Sequence, residues 1–124
     1  MAKVLIMMGS ESDRERMEKA VPILEEAGVA TEVVVSSAHR DPERTAQIAS
    51  SAQENGFSVV ICGAGLSAAL PGVVAAHTKL PVIGVPLNAA LGGLDALLSV
   101  AQMPPGVPVA CVGIDNAKNA AHLA

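Results

Sequence analysis

Residues 4–13 read VLIMMGSESD. The first half, Val4–Met8, is an unbroken apolar run, the pattern of a parallel strand buried on both faces. The second half, Gly9–Asp13, holds only small or acidic residues, so the strand ends at a loop. Four further apolar runs have the same character. We therefore predict strands over Val4–Met8, Thr31–Ser36, Ser58–Cys62, Pro81–Val85 and Val107–Val112.

Segments with helical spacing separate these runs. In the first segment, apolar residues recur along one face and charged residues occupy the other. The apolar face consists of Met17, Ala20, Val21, Leu24 and Ala27. Ser12 and Glu15 have the spacing of a capping box that begins this helix, and Gly28 is suited to end it.

Four more helices are predicted from similar signals. Asp41 followed by Pro42 marks the start of the second helix, which ends near Asn55-Gly56. The remaining three are predicted over Leu70–Thr78, over about Gly93–Gln102, and from Asp115 as N-cap to the end of the chain.

The alternation of strands and helices is typical of a parallel sheet with helices on both faces and right-handed crossovers. At 124 residues the chain has room for one domain, so residues 1–124 are predicted to form a single domain. The expected fold class is α/β, as a flavodoxin-like three-layer αβα sandwich with a five-stranded parallel sheet.

Composition argues against several classes of function. The formal net charge is −4, with no Trp, no Tyr and one Phe, so the chain lacks the basic clusters and aromatic groups of a nucleic-acid-binding protein. Cys62 and Cys111 lie in apolar runs without metal-ligand spacing, which favours reduced core thiols in a cytoplasmic protein. The uncharged stretch 55–76 is interrupted by glycines and a proline, so it indicates strand, turn and helix instead of a membrane span.

Charge is distributed unevenly along the chain. Between Asn55 and Ile114 only Lys79 and Asp95 are charged. An isolated subunit needs a charged surface on its second half as well as its first. We therefore expect much of the outer surface of residues 66–76 and 87–103 to be covered by other copies of the chain, in a homo-oligomer.

Small and reactive residues follow the first three predicted strands. They form the stretches Gly9–Asp13, Ser36–Asp41 and Gly63–Gly72, which the carboxyl ends of parallel strands bring to one edge. The first stretch suits an anion, although Ser10, Ser12 and Asp13 are equally suited to be helix caps. Residues 63–68 match a dinucleotide-binding pattern only weakly, because no acid follows about twenty residues later.

The pair His39-Arg40 is the most informative feature of this edge. Arginine binds phosphate with two parallel hydrogen bonds, and histidine transfers protons near neutral pH. The other histidines, His77 and His122, have helical context and no partner motif, and we predict no metal site.

Eight collinear motifs cover essentially the whole chain and resemble the family of N5-carboxyaminoimidazole ribonucleotide mutases, the PurE family. They are MGSESD at 8–13, SAHRDP at 37–42, GAG at 63–65, LPG at 70–72, PVIGVP at 81–86, GLDALLS at 93–99, QMP at 102–104 and NAA at 119–121. The resemblance implies a flavodoxin-like subunit of a homo-octamer that needs no metal or organic cofactor. It implies a small-molecule nucleotide substrate, whose carboxylate moves from the exocyclic nitrogen of the imidazole to ring carbon 4 in purine biosynthesis.

The same resemblance implies roles for particular residues. Ser10, Asp13 and Arg40 bind the ribose phosphate part of the substrate, with Ser12 and Ser37 close by. His39 is the general acid and base. The loop Gly63–Gly72 encloses the imidazole and the transient CO₂. The full substrate-binding set implied is Ser10, Ser12, Asp13, Ser37, Ala38, Arg40, Gly63, Gly65 and Leu70.

Two features depart from the family pattern. Ala69 stands where the family usually carries a histidine before Leu-Pro-Gly. This departure keeps two alternatives open: a direct carboxylase that uses CO₂, and an inactive nucleotide-binding paralogue. The chain also ends at Ala124, a few residues into its last predicted helix, where the family continues into a further helix, so the C-terminal helix is expected to be shortened.

Overall fold

The computed structural model describes residues 2–124, and its centre is one five-stranded, all-parallel sheet with strand order β2-β1-β3-β4-β5. The strands are β1 Lys3–Met8, β2 Ala30–Val35, β3 Val59–Ala64, β4 Val82–Pro86 and β5 Ala110–Cys111. All five predicted strands are present. This topology confirms the predicted flavodoxin-like α/β class.

Within residues 2–124, six helices accompany the sheet. They are α1 Arg14–Met17, α2 Ala20–Glu26, α3 Pro42–Ser51, α4 Leu70–His77, α5 Leu94–Ala101 and α6 Ala117–Leu123, with short 3₁₀ turns at Glu11–Asp13 and Leu91–Gly93. In the part of the chain that the structure describes, none of these helices has the length and apolar character needed to cross a bilayer.

The central strands alternate their side chains between two cores. Ile6 and Met8 point to one face, where they pack with Met17 and Leu24 and with the alanines of α6. Leu5 and Met7 point to the other face, where they pack with residues of α3, α4 and α5. Apolar residues in consecutive positions are therefore all buried, as the continuous apolar runs predict.

The first predicted helix is broken into α1 and α2. Pro22 explains the break, because a proline has no N–H to donate and its ring clashes with the carbonyl four residues earlier, that of Glu18. The chain makes a turn at Glu18 and Lys19 instead. Ala27, predicted on the apolar face, is exposed beyond the end of α2.

Two predicted caps are wrong. The capping box at Ser12 does not form; the Ser10 side chain, which is also suited to be a cap, caps the 3₁₀ turn that precedes α1. Asn116, in place of Asp115, caps α6 by accepting a hydrogen bond from the backbone N–H of Asn119 at 3.1 Å. Both true caps lie within two residues of the predicted ones, and the carboxylate of Asp115 is engaged elsewhere.

The two edge strands differ most from prediction. β2 pairs with β1 alone and its residues are mostly half-buried. β5 is formed by Ala110 and Cys111 only, although the apolar run extends over Val107–Val112. An edge strand has one neighbour to hold it, so its apolar pattern overstates its length and burial.

Gly84 of β4 is a point of close contact between the sheet and its helices. A Cβ at this position would lie 2.4 Å from a methyl group of Val100 and 3.3 Å from the Cβ of Pro71. Both neighbours are rigid side chains, so α4 and α5 can pack this close only against a glycine.

We predict that Gly84→Ala lowers the free energy of unfolding by about 1–3 kcal/mol, because the added methyl group forces the packing of Val100 apart. Urea denaturation measures this change. Gly113→Ala is the matched control, since its nearest neighbour would be at an ordinary 3.8 Å. Equal stability of the two variants would contradict this account of β4.

Candidate active site

A cavity of about 610 Å³ opens at the carboxyl edge of the sheet. The loops that follow β1, β2 and β3 form most of its wall, and Ala89 from the loop after β4 completes it. Eight of the predicted substrate-binding residues and His39 line this cavity: Ser10, Ser12, Asp13, Ser37, Ala38, Arg40, Gly65 and Leu70. The structure thus brings together residues from three separate parts of the chain.

Gly63 is the predicted site residue that does not line the cavity. It is buried in β3, where a Cβ would lie only 2.2 Å from the sulfur of Met17. The absence of a side chain at Gly63 lets the Met17 side chain of α1 pack directly on the sheet. The first glycine of the GAG motif supports the fold, and the second, Gly65, faces the cavity.

The loop after β1 is a compact polar turn. The hydroxyls of Ser10 and Ser12 are hydrogen-bonded at 3.0 Å, and the backbone N–H of Asp13 donates to the carbonyl of Ser10 at 3.0 Å. Both hydroxyls keep further hydrogen-bonding capacity. The two serines take part in the turn and also line the cavity. A structural role in this loop therefore leaves them available to a ligand.

Arg40 joins this loop to the loop after β2. Its Nη2 donates to the carbonyl of Gly9 at 3.0 Å, and its Nε donates to the Ser37 hydroxyl at 3.3 Å. These bonds hold the guanidinium across the mouth of the cavity with donors to spare. A planar guanidinium fixed in this way is suited to bind an anion that enters between the two loops.

Buried hydroxyls and a helix cap hold the loop that carries His39. The Ser36 and Thr45 hydroxyls, both buried, are hydrogen-bonded at 2.7 Å, and Thr45 also donates to the carbonyl of Ser37 at 3.2 Å. Asp41 caps α3, as predicted, through the backbone N–H of Arg44. His39 lies in the turn between these anchors and is exposed to the cavity.

The loop after β3 brings the backbone close to the neighbouring loop. A Cβ on Gly65 would lie 2.9 Å from the Cβ of Ala89 and 3.3 Å from the carbonyl oxygen of Leu87. Leu66 adopts a left-handed backbone conformation, with φ of +56°. The absence of a side chain at Gly65 therefore lets the two loops pack in contact where they line the cavity.

Asp13 is held by a residue that the sequence analysis missed. Arg16 donates from Nη2 to Oδ1 of Asp13 at 3.0 Å. Burial raises the pKa of the Asp13 carboxyl above its usual value, while the charge and hydrogen bond of Arg16 oppose the rise. Arg16 also reaches Asp115 at 3.2 Å, across 99 residues of sequence.

Besides His39, six wall residues lie outside the predicted substrate-binding set: Gly9, Ala64, Leu66, Ser67 and Ala69, which fall within the predicted loops, and Ala89, which does not. The rule that identified the first three loops extends to the fourth, because residues 87–90 follow β4 at the same edge. Residues 2–124 contain no group of three or more His, Cys, Asp or Glu side chains placed to hold a metal ion.

Comparison with known proteins gives consistent matches. The sequence profile of the AIR carboxylase family matches residues 3–124. The N5-carboxyaminoimidazole ribonucleotide mutase of Pyrococcus abyssi is 58% identical, over 100% of this chain and 72% of the relative. The enzyme of the same name from Thermotoga maritima is 54% identical, over 100% of this chain and 73% of that relative. The crystal structure of Treponema denticola PurE superposes with a TM-score of 0.86 at 31% identity, covering 99% of this chain and 77% of that one.

The geometry predicts that a phosphate group binds between the loops after β1 and β2. We expect inorganic phosphate to shift the backbone amide NMR signals of residues 9–13 and 37–40, and Arg40→Gln to weaken binding about tenfold because a charge-assisted bidentate contact is lost. Arg44→Gln is the control, since Arg44 donates to the carbonyl of Val35 outside the cavity. Equal phosphate affinity of wild type and Arg40→Gln would contradict the assignment.

Proposed function

Since the chain belongs to the AIR carboxylase family, we propose that it is an N5-carboxyaminoimidazole ribonucleotide mutase, an isomerase of de novo purine biosynthesis. One observation carries the proposal beyond family membership. His39 and Arg40 are adjacent in one cavity, so a proton carrier stands beside an anion holder. Residues 1–124 form the catalytic domain in this proposal.

The ribose phosphate end of the substrate binds where the loops after β1 and β2 meet. Arg40 pairs with the phosphate, and the Ser10, Ser12 and Ser37 hydroxyls supply further hydrogen bonds. Asp13 accepts from ribose hydroxyls. The existing bonds of Arg40 to Gly9 and Ser37 support this assignment, because they fix the guanidinium before the ligand arrives.

His39 carries the proton in both half-reactions. It first donates a proton to the exocyclic nitrogen of the substrate, the C–N bond of the carbamate breaks, and CO₂ leaves. Ring carbon 4 then attacks CO₂ and forms the new C–C bond. His39 removes the proton from carbon 4, so the imidazole ends in the state in which it began. The exposed ring of His39 has no hydrogen-bond partner within residues 2–124, which leaves both nitrogens available.

Small apolar groups form the rest of the pocket. Ala38, Gly65, Ala69 and Leu70 line the wall around the ring and the transient CO₂. Retention of CO₂ needs a close-fitting wall with little water, which such side chains provide. With alanine at position 69, His39 is the only histidine of residues 2–124 that lines the cavity.

The proposal extends to assembly as a homo-octamer in the cytoplasm. Leu91, Leu94 and Leu98 are 78%, 55% and 48% exposed and lie on one side of α5 and the turn before it; we call them the leucine patch. Next to the patch, Oδ1 of Asp95 is shielded from solvent and has no hydrogen-bond partner within residues 2–124. Association of copies of the chain through α5 covers the patch and offers donors to this carboxylate. The thiols Cys62 and Cys111 are free, in keeping with a reducing compartment.

We predict that the purified protein converts N5-carboxyaminoimidazole ribonucleotide to its 4-carboxy isomer, followed by absorbance, and that His39→Asn lowers kcat at least about 100-fold because proton transfer is lost. His122→Asn is the control, since His122 lies on α6 away from the cavity. Turnover of His39→Asn at the wild-type rate would refute the role of His39. A wild type that uses only aminoimidazole ribonucleotide with bicarbonate would refute the mutase assignment.

We also predict that Leu94→Glu reduces the molar mass in solution, because it places a charge in an apolar contact between subunits. Light scattering at micromolar concentration measures the change. Ala27→Glu adds the same charge at the exposed end of α2 and should leave the assembly intact. A wild-type monomer at this concentration would contradict the assembly proposal.

A further inference from the structure

One arginine links three loops at the edge of the cavity. Arg16 Nη2 donates to Asp13 Oδ1 at 3.0 Å, and its Nη1 donates to Asp115 Oδ1 at 3.2 Å and to the carbonyl of Asn88 at 3.1 Å. The backbone N–H of Asn88 in turn donates to Asp115 Oδ1 at 2.9 Å. These four residues, which we call the Arg16 network, come from the segments that follow β1, β4 and β5.

We propose that Arg16 and Asp115 are positioning residues of the active site, which fix the Asp13 carboxylate and the segment 88–89 in the places that the ribonucleotide requires. The proposal rests on the proposed function for the identity of the ligand. It concerns residues behind the cavity wall, since neither Arg16 nor Asp115 lines the cavity itself.

The network controls two parts of the wall. Arg16 binds one oxygen of Asp13, and the carboxylate has further acceptor capacity for a ligand hydroxyl. Asn88 is held through both its carbonyl and its N–H, and the next residue, Ala89, lies against Gly65. A shift of Asn88 therefore changes the separation of the two loops that enclose the ring.

The backbone conformation of Asp115 suits it to this positioning role. Its φ of +59° is a left-handed conformation that few residues other than glycine adopt, and Asp and Asn tolerate it best. The backbone N–H of Asp115 donates to the carbonyl of Pro86 at 2.8 Å, which continues the hydrogen bonding to β4 beyond the end of β5. The strained residue thus places its carboxylate over Asn88 and beside Arg16.

Partial burial makes the network stronger than a surface ion pair. The side chains of Asp13, Arg16 and Asp115 are 13%, 29% and 38% exposed. Without Arg16, the carboxylates of Asp13 and Asp115 would lose the cation that pairs with both of them. Charge pairs in such places contribute more than exposed ones, and loss of one partner leaves the others uncompensated.

The pKa of Asp13 depends on the charges of the other residues of the Arg16 network, so its titration measures whether the network is intact. Asp13 faces Arg16 from α1 and Asp115 from the segment before α6, while His39 and Arg40 line the same cavity. The charge of Arg16 lowers the pKa of Asp13 and that of Asp115 raises it. Loss of Arg16 must therefore move the Asp13 titration to higher pH, and loss of the Asp115 charge must move it to lower pH.

The test compares wild type, Arg16→Gln, Arg16→Lys and Asp115→Asn. Carbon-13 NMR of the aspartate carboxyl groups follows the Asp13 titration in the ligand-free protein, and steady-state kinetics gives KM and kcat. Arg14→Gln is the matched control, because Arg14 lies two residues away and its ion pairs within residues 2–124 are with Glu11 and Glu18. Circular dichroism confirms that each variant is folded before it is compared.

We expect Arg16→Gln to raise KM about tenfold with kcat within about twofold, since a binding group is displaced and the reacting atoms are not. Arg16→Lys should recover part of the loss. The Asp13 titration should move to higher pH in Arg16→Gln and to lower pH in Asp115→Asn, with no change in Arg14→Gln.

An Asp13 titration unchanged by Arg16→Gln, or a wild-type KM in that variant, overturns the proposal. Its failure is distinguishable from failure of the proposed function. If the wild type does not convert the ribonucleotide, the proposed function is wrong, and the NMR titrations alone then decide whether Arg16 and Asp115 control Asp13.

Discussion

The hydrogen bonding between parallel strands is the constraint on which the rest of this structure depends. Met8, at the carboxyl end of β1, is opposite Val35 of β2 and Gly63 of β3. The hydrogen bonding between strands continues into the loops. The N–H of Ser36 donates to the carbonyl of Met8 at 2.8 Å, and the N–H of Leu87 donates to the carbonyl of Ala64 at 2.9 Å. Loops far apart in sequence are therefore joined at one edge before any side chain contributes.

Side chains then give this edge its chemistry. Arg40 bridges the first two loops, and the absence of a side chain at Gly65 lets the third approach the fourth. The cavity therefore has a polar end with a fixed cation and a small, apolar end with one imidazole. A phosphorylated ribose that carries a flat heterocycle also has a charged, polar end and a flat end. The proposed substrate therefore matches the two ends of the cavity, and it is also the substrate expected from the family.

Much of this arrangement was predictable from the sequence, because its signals are local. Continuous apolar runs gave the strands, and the rule that ligands bind beyond the carboxyl ends of parallel strands gave the loops. The errors arise where local and distant partners compete. Asp115 has the chemistry of a helix cap, yet its carboxylate binds Arg16, 99 residues away in sequence, and Asn116 takes the cap. Gly63 fits a ligand loop, yet Met17 accounts for it. Sequence spacing carries no information about such contacts.

In the proposed complex, the cavity at the carboxyl edge holds the ribonucleotide with its ring at His39 and its phosphate at Arg40. The decisive experiment is a crystal structure of the protein with 4-carboxy-5-aminoimidazole ribonucleotide bound. We expect the phosphate within hydrogen-bond distance of the Arg40 guanidinium, and the His39 imidazole within hydrogen-bond reach of the exocyclic nitrogen or in contact with ring carbon 4. A ligand bound in another cavity, or with its ring remote from His39, would contradict it.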